Sequence, residues 1–290
     1  MKNNIALMGT GYWGSKLKKY IPEYFNLKYE ISSKSDKDIL WNDDSVKSVI
    51  IATPIWSHYA IAKEALLHNK NIFIEKPLSL KKKSGEKLIK LAQKRNLKVA
   101  VEYTQTFAPS ILKIIEILHK IGKLEFIEMS TKHLGRFMDN NVFWLLASHH
   151  MSILDKLLPL DRLSFNKKCY IYENNLCTTG SILFKDDAIS GRIDVSTNYP
   201  GKEMCFTLYG SLGTIKWNAL SKKTIELTLY NRQQNALPDE LTEYYDYFEY
   251  DESNNLKYSI KYFYDLIHNN ASSNVQSALQ ITKILECLEN

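Results

Sequence analysis

Ile5-Ala-Leu-Met8-Gly9-Thr10-Gly11-Tyr12-Trp13-Gly14 is the stretch whose reading decides the fold. Four apolar residues make a short strand, a G-x-G-x-x-G run makes a turn, and the apolar spacing from Ser15 to Tyr20 predicts a helix. Glycine triplets arise by chance in loops, but between a strand and a helix this one has a mechanism. Gly9 permits the tight turn, Gly11 lets the backbone approach a pyrophosphate, and Gly14 lets helix and strand pack closely. A dinucleotide site is expected here, bordered by Gly9, Thr10, Gly11, Tyr12, Trp13 and Gly14.

Outward from that turn, strand and helix alternate. Leu27 to Ile31, Val46 to Ala52, Asn71 to Ile74 and Lys98 to Val101 read as strands; Ile55 to Leu67 and Lys82 to Arg95 read as helices. This rhythm implies right-handed crossovers and a doubly wound, mostly parallel sheet. After a helix over Ile111 to His119 the pattern changes to two-residue alternation in Lys123 to Thr131, Ser181 to Phe184, Ile189 to Ser196, Met204 to Tyr209 and Thr224 to Leu229. Turn signals at Lys185-Asp-Asp187 and Gly210-Ser-Leu-Gly213 separate neighbouring strands, as in a meander. The expected class is α/β, with an N-terminal Rossmann domain over 1–118 and a C-terminal α+β domain over 119–290 built on a mostly antiparallel, open-faced sheet.

The residues after the second strand bear on the cofactor. The dinucleotide fingerprint places an acid there to bond the ribose 2′-hydroxyl. This chain reads Glu30-Ile-Ser32-Ser33-Lys34, and two hydroxyls followed by a cation suit a 2′-phosphate. NADP is therefore favoured over NAD, with Glu30 the residue that would serve NAD if the strand ended sooner.

Composition removes several classes. With 44% hydrophobic and 24% charged residues the chain is ordinary globular material, and a net charge of +6 with lysines scattered apart from the run Lys81-Lys82-Lys83, read as solvated surface, argues against nucleic acid. No secretion pattern and no apolar window of membrane-spanning length is visible, so a soluble cytoplasmic protein is expected. Cys169, Cys177, Cys205 and Cys287 show no C-x-x-C pairing and read as reduced thiols. The seven histidines offer one adjacent pair, His149-His150, which cannot both face one metal on a helix, so no metal site is expected.

Two further segments, Ala52-Thr53-Pro54-Ile-Trp-Ser-His58 and Glu75-Lys76-Pro77, together with the glycine turn, resemble the Gfo/Idh/MocA oxidoreductases. The resemblance continues through Val101 to Pro109, Ile121-Gly122-Lys123, Phe143 to Leu154 and a final helix over Tyr262 to Leu288, and so covers essentially the whole chain. It is greatest to the branch acting on nucleotide-activated sugars. It implies hydride transfer between a nicotinamide and a sugar ring carbon, a cis Lys76-Pro77 bond, and homo-oligomers formed through the C-terminal sheet. Ser32, Ser33 and Lys34 then read the adenosine ribose or its phosphate, and Thr53, Pro54, His58, Glu75 and Lys76 border the cofactor.

Lys76 and His149 are the expected catalytic residues. Lys76 follows a buried strand at the carboxyl edge of the sheet, where parallel sheets gather ligands. His149 sits on a helix, and an imidazole suits a base near neutral pH. In the resembling enzymes an acid lies four residues before this histidine; here that position is Leu145, and the acid after it has become His150. Three readings follow: a sugar dehydrogenase using Lys76 and His149, with an acid unnecessary or supplied by Glu102; a ketone or imine reductase in which Lys76 or His149 donates a proton; or an impaired dinucleotide-binding module. Arg136, Arg192 and Lys202 are candidates for substrate phosphates. The tyrosine-rich acidic run Glu243 to Asp251 reads as a strand or loop at the domain's edge.

Overall fold

Ile5, Ala6 and Leu7 have no exposed surface, the burial expected of a strand covered on both faces. They lie in β1 (Asn4–Met8), an interior strand of a five-stranded sheet with β2 (Asn26–Ile31), β3 (Val46–Ile51), β4 (Asn71–Glu75) and β5 (Val99–Glu102). The order is β2-β1-β3-β4-β5 and every pairing is parallel. Helices α1 (Tyr12–Lys18), α2 (Ile21–Tyr24), α3 (Asp38–Trp41), α4 (His58–Leu67) and α5 (Lys82–Lys94) connect them. The computed structural model describes residues 2–135, 140–221, 224–230, 242–250 and 255–289.

The chain forms two compact units, and they differ from the division at residue 118. The first comprises Met1–Phe107 with Asn254–Asn290; the second is Ala108–Ser253. The closing segment is two helices, not the single one expected: α8 (Asn255–His268) and α9 (Val275–Glu289). Apolar burial accounts for their placement. Ile260, Phe263 and Leu266 of α8 share a core with Leu17, Phe25, Ile50 and Phe73, and the ring centroids of Phe73 and Phe263 are 5.4 Å apart. Between the helices, Asn274 closes the sheet's exposed edge: its amide oxygen accepts from the Val101 N–H at 2.9 Å and its amide nitrogen donates to the Val101 carbonyl at 2.7 Å. This covers an edge strand that would otherwise present unpaired backbone groups.

The second unit opens with α6 (Pro109–Ile117) and carries β6 (Leu124–Leu134), α7 (Ser148–Leu157), β7 (Ser164–Glu173), β8 (Leu176–Lys185), β9 (Ser190–Ser196), β10 (Asn198–Gly210), β11 (Gly213–Asn218), β12 (Thr224–Tyr230) and β13 (Thr242–Glu249). The sheet order is β13-β12-β11-β10-β6-β9-β8-β7. All neighbours are antiparallel except β6 and β9, whose parallel pairing interrupts the expected meander. The tyrosine-rich run forms β13 on the edge, with Asp251 outside the described residues.

Cys169 and Cys177 are joined as a disulfide, correcting the expectation of reduced thiols; Cys205 and Cys287 are free. Eight residues apart in sequence, they face one another because β7 and β8 form a hairpin. Its loop is Asn174-Asn175, both with positive φ, the conformation of a type I′ turn that the sequence pattern did not reveal. Among the described residues no helix is long and apolar enough to cross a membrane.

Candidate active site

The carboxyl ends of β1 and β3 are where strand order reverses, and ligands of open α/β sheets bind outside such a point. Gly9 begins the loop there with φ +97° and donates its N–H to the Ile31 carbonyl at 2.8 Å. A Cβ at Gly9 would lie 2.2 Å from the Ala52 carbonyl oxygen, and one at Gly14 would lie 1.8 Å from that of Gly9. Both glycines are thus demanded by packing. At Gly11, by contrast, nothing lies within 4 Å of the Cβ position, so the backbone there faces open space. That open approach between two closely packed glycines fits a dinucleotide pyrophosphate. Thr10, Tyr12 and Trp13 are exposed around it, and the Lys16 ammonium lies 4.3 Å from the centroid of the Tyr12 ring.

β2 ends at Ile31, so Ser32, Ser33 and Lys34 come directly after it, with Ser33 and Lys34 exposed. Ser32 is tied into the turn: its N–H donates to Ser35 Oγ at 2.9 Å. Glu30 remains inside the strand and pairs with Lys18 at 2.7 Å.

The loops after β3 and β4 are locked together by His58. Its Nδ1 lies 2.9 Å from the Pro77 carbonyl oxygen and its Nε2 2.9 Å from that of Thr53. The ring is buried, and burial lowers its proton affinity more than the two carbonyls raise it. The sequence grouped His58 with the cofactor contacts; its two ring nitrogens instead face the main chain, in a position to hold the Thr53 and Pro77 loops in register. Ser57 donates to the Thr53 hydroxyl oxygen at 2.8 Å and so orients it. The Lys76-Pro77 bond is cis, as the family resemblance implied.

Glu75 and Glu102 are buried and Lys76 is half-buried, and the three form one cluster of ionisable groups. Glu75 and Glu102 are 8% and 2% exposed and are register partners on adjacent strands. Glu102 Oε2 accepts from the Thr104 hydroxyl at 2.6 Å. Burial raises the Glu75 carboxyl well above the usual range, and the neighbouring Glu102 charge raises it further. Glu102 is also raised by burial, while the Thr104 and Ser259 hydroxyls draw it back. Lys76 is pulled down to about 8, first by burial, with the two carboxylates opposing that shift. A lysine in this range exchanges a proton near neutral pH, which a surface lysine does not. The sequence mentioned Glu102 only as a spare acid; a glutamate ending an otherwise apolar strand beside the Glu75 strand was the signal.

His149 belongs to the second unit. A π-helical turn over Phe143–Ala147 precedes α7, and π turns recur at functional sites. Gly180 of β8 makes room for this turn, since a Cβ there would lie 2.7 Å from the Phe143 ring. Within residues 142–151 only Leu145 and His149 are partly exposed. His150 is wholly buried; its Nε2 lies 2.8 Å from Thr131 Oγ1, and burial brings its pKa down to about 4, so it stays neutral and pins α7 to β6. Arg192 is bound to Glu128 and lies 3.3 Å from Asp194, which leaves it a sheet contact rather than an available phosphate ligand. Lys202 is exposed, and Arg136 lies outside the described residues. Among the described residues no three His, Cys, Asp or Glu side chains converge as a metal site.

Residues 15–103 match the model of the oxidoreductase family with an NAD-binding Rossmann fold. An uncharacterised oxidoreductase of Synechocystis sp. is 32% identical over 95 residues, which are 32% of this chain and only 25% of that protein. An oxidoreductase of Formosa agariphila is 24% identical over 274 residues, covering 87% of this chain and 81% of its own length. Among solved structures, the UDP-N-acetylglucosamine 3-dehydrogenase of Acidithiobacillus ferrooxidans superposes with a TM-score of 0.88 over 99% of both chains at 14% identity, a likeness of fold. The match over residues 15–103, directly after the glycine turn, makes this part of the chain similar to the Gfo/Idh/MocA oxidoreductases.

Proposed function

We propose that this oxidoreductase uses NADP to move a hydride to or from a ring carbon of a nucleotide-linked sugar, with Lys76 handling the proton. The observation that carries this reading is the placement of Lys76: at the carboxyl edge of the parallel sheet, on a turn braced by His58, with its ammonium pulled down to about 8. A bound nicotinamide supplies the hydride chemistry. Gly9, Gly11 and Gly14 would hold its pyrophosphate, Ser33 and Lys34 the 2′-phosphate, and Thr53, Pro54 and Glu75 would border the ring. NADP is favoured because Glu30 is spent on Lys18 and two hydroxyls and a cation follow the strand end.

Lys76 bonds the substrate oxygen in this scheme. In the oxidative direction the neutral amine takes the hydroxyl proton as hydride departs; in the reductive direction the ammonium returns it to the carbonyl oxygen. His149 of the second unit is the other candidate for proton transfer. The nucleotide-sugar class rests on the motif resemblance and on the activity of the A. ferrooxidans enzyme. We place the protein in the cytoplasm as a homo-oligomer joined through the C-terminal sheet, although the Cys169–Cys177 bond is unusual for that compartment.

A reductase of another ketone or imine is the second reading. A lysine titrating at about 8 is mostly protonated at neutral pH, which suits a proton donor, and Leu145 leaves His149 without the family's acid one turn earlier. Titration with NADPH and NADH, followed by energy transfer from the tryptophans to the reduced nicotinamide, tests the common core. Tight binding with NADPH preferred is expected. A folded sample that binds neither cofactor sinks both readings and leaves a non-catalytic module. Thermal shift with nucleotide sugars, free sugars and small ketones then separates the two enzymes, because a bound ligand raises apparent stability by mass action.

A further inference from the structure

Glu75 and Glu102 lie side by side where β4 and β5 end, as paired residues of adjacent parallel strands. Paired positions on neighbouring strands are separated by about 4.8 Å and project to the same face of the sheet. Both side chains are buried, and each has an Oε1 with no hydrogen-bond partner among the described residues. Buried polar atoms are satisfied in the great majority of cases, so two orphaned carboxyl oxygens on neighbouring strands need a reason. The charge count supplies one. With Lys76 the cluster holds two acids and one base, and full ionisation leaves one uncompensated negative charge in a dry site, which a proton removes.

We propose that Glu75 and Glu102 hold one proton between them in the resting protein and exchange it with Lys76, as a reserve behind the lysine that does not touch the substrate.

The neighbouring groups fix where that proton sits. Thr104 donates to Glu102 Oε2, and the Ser259 hydroxyl of α8 also favours the Glu102 charge. Glu75 has no hydroxyl donor; the Lys76 ammonium and the Lys76 backbone N–H favour its charge, but burial and the Glu102 charge outweigh them and drive its carboxyl upward. Glu102 is therefore the charged member facing the Lys76 ammonium, and Glu75 carries the proton. The remaining ionisable group beside them is His58 of α4, which is buried, has its proton affinity lowered by that burial, and faces the Thr53 and Pro77 carbonyls with its ring nitrogens.

Use of the reserve in turnover rests on the role proposed above for Lys76. In reduction, the hydride of a reduced nicotinamide goes to the substrate's carbonyl carbon and a proton goes from Lys76 Nζ to its oxygen, leaving a neutral amine. The carboxyl proton then crosses to Nζ, which restores the ammonium and leaves both carboxylates ionised. One proton from water refills the pair, so each cycle adds one hydride and one proton to the carbonyl. Oxidation runs the same transfers backwards.

Infrared difference spectroscopy across a pH titration of the cofactor-free protein tests the pair independently of any substrate. A protonated-carboxyl band is expected to persist at neutral pH in the folded wild type and to vanish in both Glu75→Gln and Glu102→Gln, since either leaves one carboxylate balanced by one ammonium. Persistence of the band in either variant assigns the proton to burial of a single carboxyl and overturns the pair, as does its absence from the wild type. Thr104→Val, a milder change, should carry the band to higher pH because Glu102 loses a donor; an unmoved titration also counts against the pair. For turnover, Glu102→Gln should lower kcat by about 10-fold with little change in KM and recover with rising imidazole concentration, to which the wild type is insensitive. Loss without rescue denies the exchange with Lys76. A chain that binds no nicotinamide yet shows the band and its losses defeats the oxidoreductase reading and leaves the proton-sharing pair standing.

Discussion

The Lys76 turn and the His149 helix carry the same kind of candidate group in opposite settings. Beside the half-buried Lys76 two buried carboxyls, Glu75 and Glu102, act on its titration, and His58 braces the turn from behind. Along the His149 helix the flanking positions are apolar or neutral: Leu145 precedes it, and His150 is buried against β6. A lysine tuned by burial and by carboxylates is adapted to proton exchange. The difference places the greater share of the chemistry on Lys76.

Removing each group in turn is the sharpest way to break that comparison. Lys76→Ala should lower turnover by about 100-fold or more while leaving NADPH binding nearly unchanged, as expected for a group engaged in the transition state and not with the cofactor. His149→Ala should cost less, about 10-fold. Steady-state kinetics on both variants decides the matter, and a larger loss at His149 reverses the ranking.

Acidity separates the two regions further. Lys76 titrates at about 8, so the ammonium needed for reduction is present below that pH and lost above it, while the amine needed for oxidation appears as pH rises. Reductive kcat/KM should therefore fall about 10-fold for each unit above 8, and the oxidative rate should level off there. Lys76→Arg should abolish this limb, because a guanidinium stays protonated throughout the range.

The two regions also differ in how much of them the sequence disclosed. Glu75-Lys76-Pro77 is contiguous, follows an apolar strand, and needs only the rule that parallel sheets gather ligands at their carboxyl ends. The Glu102 partnership needed the register of β5 against β4, which no local pattern encodes. The same limit explains the unit boundary. Strand and helix alternation gave the parallel sheet directly, but nothing near Phe263 states that it packs on Phe25 and Phe73 at the far end of the chain. It explains the disulfide too, since Cys169 and Cys177 are brought near by a hairpin that turns at Asn174-Asn175 and whose register shifts between Cys169 and Tyr172. On the second unit, alternation revealed most strands and missed β7 and β11, as well as the parallel β6–β9 pairing. The π-helical turn before α7 had no sequence signal at all.

Cofactor selection sharpens the reading of the first region alone. Lys34→Ala should weaken NADPH binding by about 10-fold and leave NADH within about two-fold, the loss of one charge-assisted contact to a phosphate. Direct titration measures it, and equal loss for both cofactors moves Lys34 out of the ribose site.

The smallest change comes from restoring what the second region lacks. Leu145 and His149 are the two partly exposed positions of their stretch, so an acid introduced at 145 would lie on the histidine's side of the helix. Leu145→Asp should raise the proton affinity of His149 by up to about one pKa unit, the effect of a partly solvated carboxylate one turn away. If Lys76 and its carboxylates already meet the demand for protons, turnover should change by less than about three-fold. A gain well beyond that means that the histidine, rather than the lysine cluster, limits the rate. NMR titration of the imidazole, read beside the kinetics, distinguishes an acid that couples to His149 without effect on rate from one that never reaches it.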